Sequence, residues 1–222
     1  MLKRHKYSTA LPIAAYLAPI KGLLSSSCPQ VFAPGADGRF LVLKQTHKII
    51  NQTPYQLLFL GKPANMDNNN KVLVNQLTKL LLGGSAHADF KKALKGLPAD
   101  LRGVTPDKLP YSIWQLVEHI RIAQWDMLRF CMDPNHQSPK WPEEYWPKEV
   151  APKNDAAWND SVEQINNELD EFIGILEHSN LYEQIPGGSG QTILQEAMQL
   201  ADHTSYHLGE IIAIRRLLGA WN

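Results

Sequence analysis

Apolar residues after Met66 recur at helical spacing, with little of the strict alternation that marks half-buried strands. Val72, Leu73, Leu77, Leu80 and Leu81 predict a first helix over Asn69–Leu82. Gly83-Gly84 then bends or breaks it before Ala86–Leu94 resumes. Residues 97–110, rich in Pro and charge, read as a loop. A second helix opens at Ser112-Ile-Trp-Gln115, a capping-box pattern in which Ser and Gln satisfy each other's free N–H groups, and runs to about Cys131. A third spans about Asp155 to Glu177. The fourth opens with a second such pattern, Thr192-Ile-Leu-Gln195, and runs to Leu218 with Gly219 as its stop. The fold class expected is therefore all-α, a four-helix bundle.

The link between the second and third helices, Met132 to Asn154, is far longer than bundle connections usually are. It carries Pro134, Pro139, Pro142, Pro147 and Pro152 together with Trp141, Tyr145 and Trp146. Two readings stand open: an apolar cover over a helix seam, or a lid over a substrate.

Before Met66 the pattern fails. Short apolar runs at Phe40–Lys44 and Tyr55–Leu60 are able to pair as strands but not to form a core by themselves. Charge changes at the same point. The whole chain is neutral, with 22 basic and 22 acidic side chains, yet residues 1–65 hold eight basic groups against the single acid Asp37. The balance is +7 there and −7 over residues 66–222, and every Glu and Trp lies in the second part. A boundary at Asn65–Met66 follows, dividing a basic N-terminal extension, 1–65, from a folded acidic domain, 66–222. The extension begins with Lys3-Arg4-His5-Lys6 and an apolar stretch, in outline a signal segment, but Pro12, Pro19 and Lys21 interrupt it. The expected location is cytoplasmic, with export as the alternative if residues 1–28 act as a signal; a third reading is that the true start is Met66 and the first 65 residues come from an over-extended reading frame. No apolar run is long enough to span a membrane. The basic residues are dispersed and lack an aromatic platform, which argues against nucleic acid as a partner.

Two of the eight histidines stand one turn apart in His203-Thr-Ser-Tyr-His207. At 100° per residue, His207 lies about 40° from His203, Ile214 about 20°, Leu200 about 60°, and Ile193 and Ile211 about 80°. Both imidazoles thus point with the apolar stripe, where their ring nitrogens need partners. A metal ion bound by both meets that need, and His119, at the edge of the apolar stripe of the second helix, is the candidate third ligand. Three His with an open fourth position is the catalytic zinc pattern. Taken alone, each His also reads as a hydrogen-bonded core residue. Glu210 and Asp126 are candidates for orienting a ligand or moving a proton, against a reading as solvated or supporting carboxylates. Arg215 and Arg216 are expected to offset the last helix's dipole. Thr204 stands where a helical zinc protease needs Glu, no Glu-x-x-His occurs, and Cys28 and Cys131 form no thiolate knot.

Ser112-Ile-Trp-Gln-Leu-Val-Glu-His119-Ile-Arg-Ile-Ala-Gln-Trp-Asp126, the Trp/Pro connection, and Ala201-Asp-His203-Thr-Ser-Tyr-His207-Leu-Gly209 resemble the DinB/YfiT-like superfamily of bacterial metal-binding bundles. The resemblance covers about Met66 to Asn222. It implies a divalent ion, zinc or nickel, on His119, His203 and His207. It also implies a metal-dependent S-transferase or isomerase that uses a low-molecular-weight thiol on a small-molecule substrate; the alternative is a non-catalytic, stress-induced metal-binding bundle. Relatives often carry His just before the second-helix cap, where this chain has Tyr111. A homodimer is expected on the ground that several Trp are exposed.

Overall fold

A computed structural model describes residues 67–84 and 86–221, together with 33–34 and 40–41. The chain divides into two compact units, residues 1–48 and 49–222. In the first, β1 (Ala33–Pro34) pairs antiparallel with β2 (Phe40–Leu41), placing Ala33 opposite Leu41. The expected strand at Phe40 thus exists, but its partner is Ala33–Pro34. Tyr55–Leu60, the signal-like segment and the Asn65–Met66 boundary lie outside the described residues.

The second unit is the helical bundle. Among the described residues its four long helices are α1 (Asn68–Leu81), α3 (Ile113–Met132), α4 (Asp155–His178) and α5 (Ile193–Leu217), with a single turn, α2 (Phe90–Leu94), between the first two. Both α1 and α3 pack on α4 and α5, closing a four-membered ring. None of the helices among the described residues is long and apolar enough to cross a membrane.

Each helix begins where a side chain can take up a free N–H. Asp67 caps α1, Asn154 caps α4, and Ser112 with Gln115 forms the full reciprocal box on α3. At α5 only half of the expected box is made: the Thr192 hydroxyl accepts from the Gln195 N–H, with no return bond from the Gln195 side chain. The helix expected over Ala86–Leu94 is shorter. Asp89 caps Lys92 and starts the turn late, and Gly83, at φ +102, lies so near Asp89 that a Cβ there would clash. At the far end Gly219 (φ +68) stops α5 as expected.

Two apolar clusters fill the bundle. One gathers Val74, Leu77, Met127, Leu128, Phe172, Leu176 and Leu200; the other gathers Ile113, Leu116, Val117, Ile120, Trp158, Leu208 and Ile211. Along α5 the change from one to the other falls between Ala201 and Leu208, the stretch holding His203 and His207. On α3 it falls between Ile120 and Ala123, beside His119. The polar centre therefore sits at the join of two apolar ones, where buried imidazoles are held without opening either.

Arg215 departs from its expected role. It is buried and donates to the carbonyls of Ala93, Lys95 and Ala220, with Trp221 against its guanidinium at 5.0 Å. It ties α2 and the C-terminal residues to α5, because carbonyls at the ends of short elements lack intrahelical donors. The tryptophans also differ from expectation. Trp114 and Trp158 are buried, Trp125, Trp146 and Trp221 partly so, and only Trp141 is chiefly exposed, which removes the stated ground for a homodimer.

Candidate metal centre

His119 of α3 and His203 and His207 of α5 converge, each offering a ring nitrogen within 4.8 Å of the others. Nε2 of His119 and Nε2 of His203 are 3.0 Å apart. Ring centroids lie 4.5 Å apart for His203 and His207, and 4.6 Å apart for His119 and His207. His119 and His207 are buried and His203 is partly buried. The i, i+4 spacing on α5 accounts for the paired rings, and the α3–α5 contact brings the third.

The outer nitrogens decide what the rings can do. His119 Nδ1–H donates to the backbone carbonyl of Tyr145 at 2.9 Å. His207 Nδ1–H donates to Glu210 Oε2 at 2.7 Å. Both contacts fix the proton on Nδ1 and leave the Nε2 lone pair directed at the cluster, the tautomer a metal requires. Nδ1 of His203 is buried with no hydrogen-bond partner among the described residues.

Burial also keeps the rings unprotonated. His203 is pushed down to about 3, first by desolvation and then by repulsion from His207 and His119. His207 falls to about 4 for the same reasons, and His119 is lowered by burial against the opposing pull of the Tyr145 carbonyl and Glu210. Three neutral imidazoles brought together from two helices, with the proton held on Nδ1 in His119 and His207, fit a divalent ion.

The Trp/Pro connection, residues 133–154, walls the site. Trp146 lies flat on His119 (centroids 3.9 Å, 4° between planes), and Tyr111 stacks on the other face of the layer formed by Trp146 at 4.2 Å. Tyr111, standing where relatives often carry His, thus adds a ring to the wall and no ligand to the cluster. Trp146 touches both apolar clusters, which favours the reading of this segment as a cover. Trp141 is its exposed aromatic, 6.3 Å from His119. An open groove of about 630 Å³ elsewhere along the connection is lined by Arg121, Trp125, Lys140 and Gln164 and borders none of the three imidazoles.

The profile of the DinB superfamily matches residues 85–211, a span that contains all three histidines. The chain belongs to the DinB superfamily. No curated protein and no solved structure matches it. In this DinB bundle the two carboxylates named from the sequence stand outside the converging nitrogens. Glu210 sits behind His207, and burial raises its carboxyl above the usual range, partly offset by a hydrogen bond with Tyr206 and by His119. Asp126, 3% exposed, accepts from His136 Nε2 at 2.8 Å and from the Tyr145 hydroxyl.

Sequence reasoning named Tyr145 and Trp146 only as aromatics of the connection, without their contacts to His119, and did not reach His136. The Trp/Pro connection marked the segment, but a backbone carbonyl acting as the acceptor leaves no residue-type signal.

Proposed function

We propose that this DinB protein is a metal-dependent enzyme of the thiol S-transferase or isomerase type, holding zinc or nickel on His119, His203 and His207. The observation that supports it most directly is the pair of Nδ1–H contacts, to Tyr145 O and to Glu210, which leave Nε2 of His119 and of His207 unprotonated in a cluster where His119 Nε2 lies 3.0 Å from His203 Nε2. No fourth protein ligand joins the converging group among the described residues, in keeping with an exchangeable position for substrate. A divalent ion bound there supplies Lewis-acid chemistry, favouring thiolate over thiol at neutral pH. The chain's own residues would do the rest: Glu210 orients His207, the connection excludes water from one side of the cluster, and Trp141 offers an exposed ring at its edge.

The test is metal analysis followed by assay. Wild type reconstituted with zinc or nickel is expected to hold one ion per chain, and His203→Ala much less. A panel of low-molecular-weight thiols and small electrophiles should show turnover that disappears on chelation and returns with metal. Metal content well below one per chain in wild type overturns the site. Full occupancy with no turnover across the panel, or turnover indifferent to chelation, overturns the enzymatic reading in favour of a non-catalytic metal-binding bundle.

A further inference from the structure

We propose that Asp126 is a positioning residue for the metal centre and acts on it through the connection; this rests on the reading that the three histidines hold a metal. Asp126 lies on α3 about two turns beyond His119 and is not among the converging ligands. Its carboxylate is buried, a costly placement unless its oxygens are well partnered. Both partners come from one segment. Oδ1 accepts from His136 Nε2 at 2.8 Å, Oδ2 accepts from the Tyr145 hydroxyl, and Tyr145 itself is buried.

Tyr145 links the two ends of the device. Its hydroxyl is held by Asp126, while its backbone carbonyl accepts His119 Nδ1–H at 2.9 Å. The next residue, Trp146, lies on the same imidazole. A tyrosine ring is stiff, so fixing its hydroxyl on α3 leaves its backbone little freedom over the His119 ring. Asp126 thereby sets the tautomer and orientation of a ligand it does not touch. Supporting contacts of this kind commonly contribute about 10–100-fold to metal affinity. The coupling is reciprocal: whatever a docked connection adds to metal affinity, bound metal returns to docking.

The experiment uses the full chain, zinc alone as the probe, and the variants Asp126→Asn and Tyr145→Phe. Zinc affinity is read by competition with a chromophoric chelator, docking by the rate of trypsin cleavage after the exposed Lys140 and Lys148, and the His119 tautomer by ¹⁵N shifts. Asp126→Asn is expected to lose about 10–100-fold in zinc affinity, with Tyr145→Phe moving the same way. Zinc should slow cleavage of the connection in wild type and protect it less in both variants. Arg215→Ala, which removes contacts at the α2 end of the bundle, should lower stability without moving zinc affinity, separating positioning from general loosening.

Zinc affinity within twofold of wild type in both variants, with cleavage accelerated, overturns the proposal and leaves Asp126 as a loop anchor alone. Should Asp126→Asn fail to fold, Tyr145→Phe decides by the same criterion, since it keeps the carbonyl and removes only the hydroxyl. Wild type that takes up no zinc overturns the metal reading and this one with it. Wild type that binds while both variants are unmoved sinks this one only.

Discussion

Taking the metal-free protein from about pH 7.5 to about pH 5.5 is expected to remove about 3 kcal/mol of stability through His203 and His207. Their folded values are about 3 and about 4, against an ordinary 6.5. The unfolded chain therefore takes up protons first as pH falls. Stability present above 6.5 is withdrawn progressively as pH falls toward the folded values, and no more is lost below them. At pH 5.5 an ordinary imidazole is about tenfold more protonated than not, whereas neither folded ring has begun to titrate. That difference is between about 1 and 2 kcal/mol per ring. Urea unfolding in the presence of a chelator reads it. With a slope near 2 kcal/mol/M, the midpoint should fall by roughly 1.5 M. His203→Leu should remove about half of the drop. Glu210 and Glu168, raised by burial, act with the opposite sign, and the comparison with His203→Leu subtracts them. A metal-free midpoint that is flat over this window, or a drop that His203→Leu leaves whole, would refute the claim that these rings are held neutral.

Three further outcomes follow from the packing. Arg215→Ala leaves the Ala93, Lys95 and Ala220 carbonyls without their donor and is expected to cost about 3 kcal/mol, read by urea or thermal unfolding; Arg215→Lys recovers only part, since one ammonium cannot span all three. Trp146→Ala removes the ring stacked between Tyr111 and His119 and should cost about 3 kcal/mol, with zinc affinity falling alongside in a chelator competition. Glu210→Gln keeps an acceptor for His207 Nδ1–H but loses its charge, so zinc affinity should drop by about tenfold while unfolding at neutral pH hardly moves.

Helix positions were legible because their causes are local. Ser112, Gln115, Thr192 and Gly219 announce ends through their own side chains or lack of one, and all four mark the boundaries found. The differences arise where a distant contact overrides a local signal. The α2 helix starts late because Asp89 caps it close against Gly83. Arg215 reads as a dipole partner from its place near a helix end. Only the folded chain brings the Ala93 carbonyl, from α2, to within 2.6 Å of it.

The same division explains the histidine cluster. A helical period of 3.6 residues converts sequence spacing into direction, so His203 and His207 are seen to share a face and His119 to lie on the inner edge of its own helix. Direction of that kind chooses the ligands but not their protonation. Which nitrogen carries the proton is settled by what stands behind each ring. One partner is periodic and therefore readable: Glu210 lies one turn beyond His207 on the same helix. The other is the Tyr145 carbonyl, a group every residue possesses, delivered by a connection that has no period. The length of that connection and its run of aromatics carry the visible trace of the role, since a short turn from Met132 to Asp155 would join α3 to α4 without passing over His119. The detour serves both halves of the interior at once: Trp146 packs on the two apolar clusters, and the Tyr145 carbonyl beside it holds the outer nitrogen of a buried imidazole.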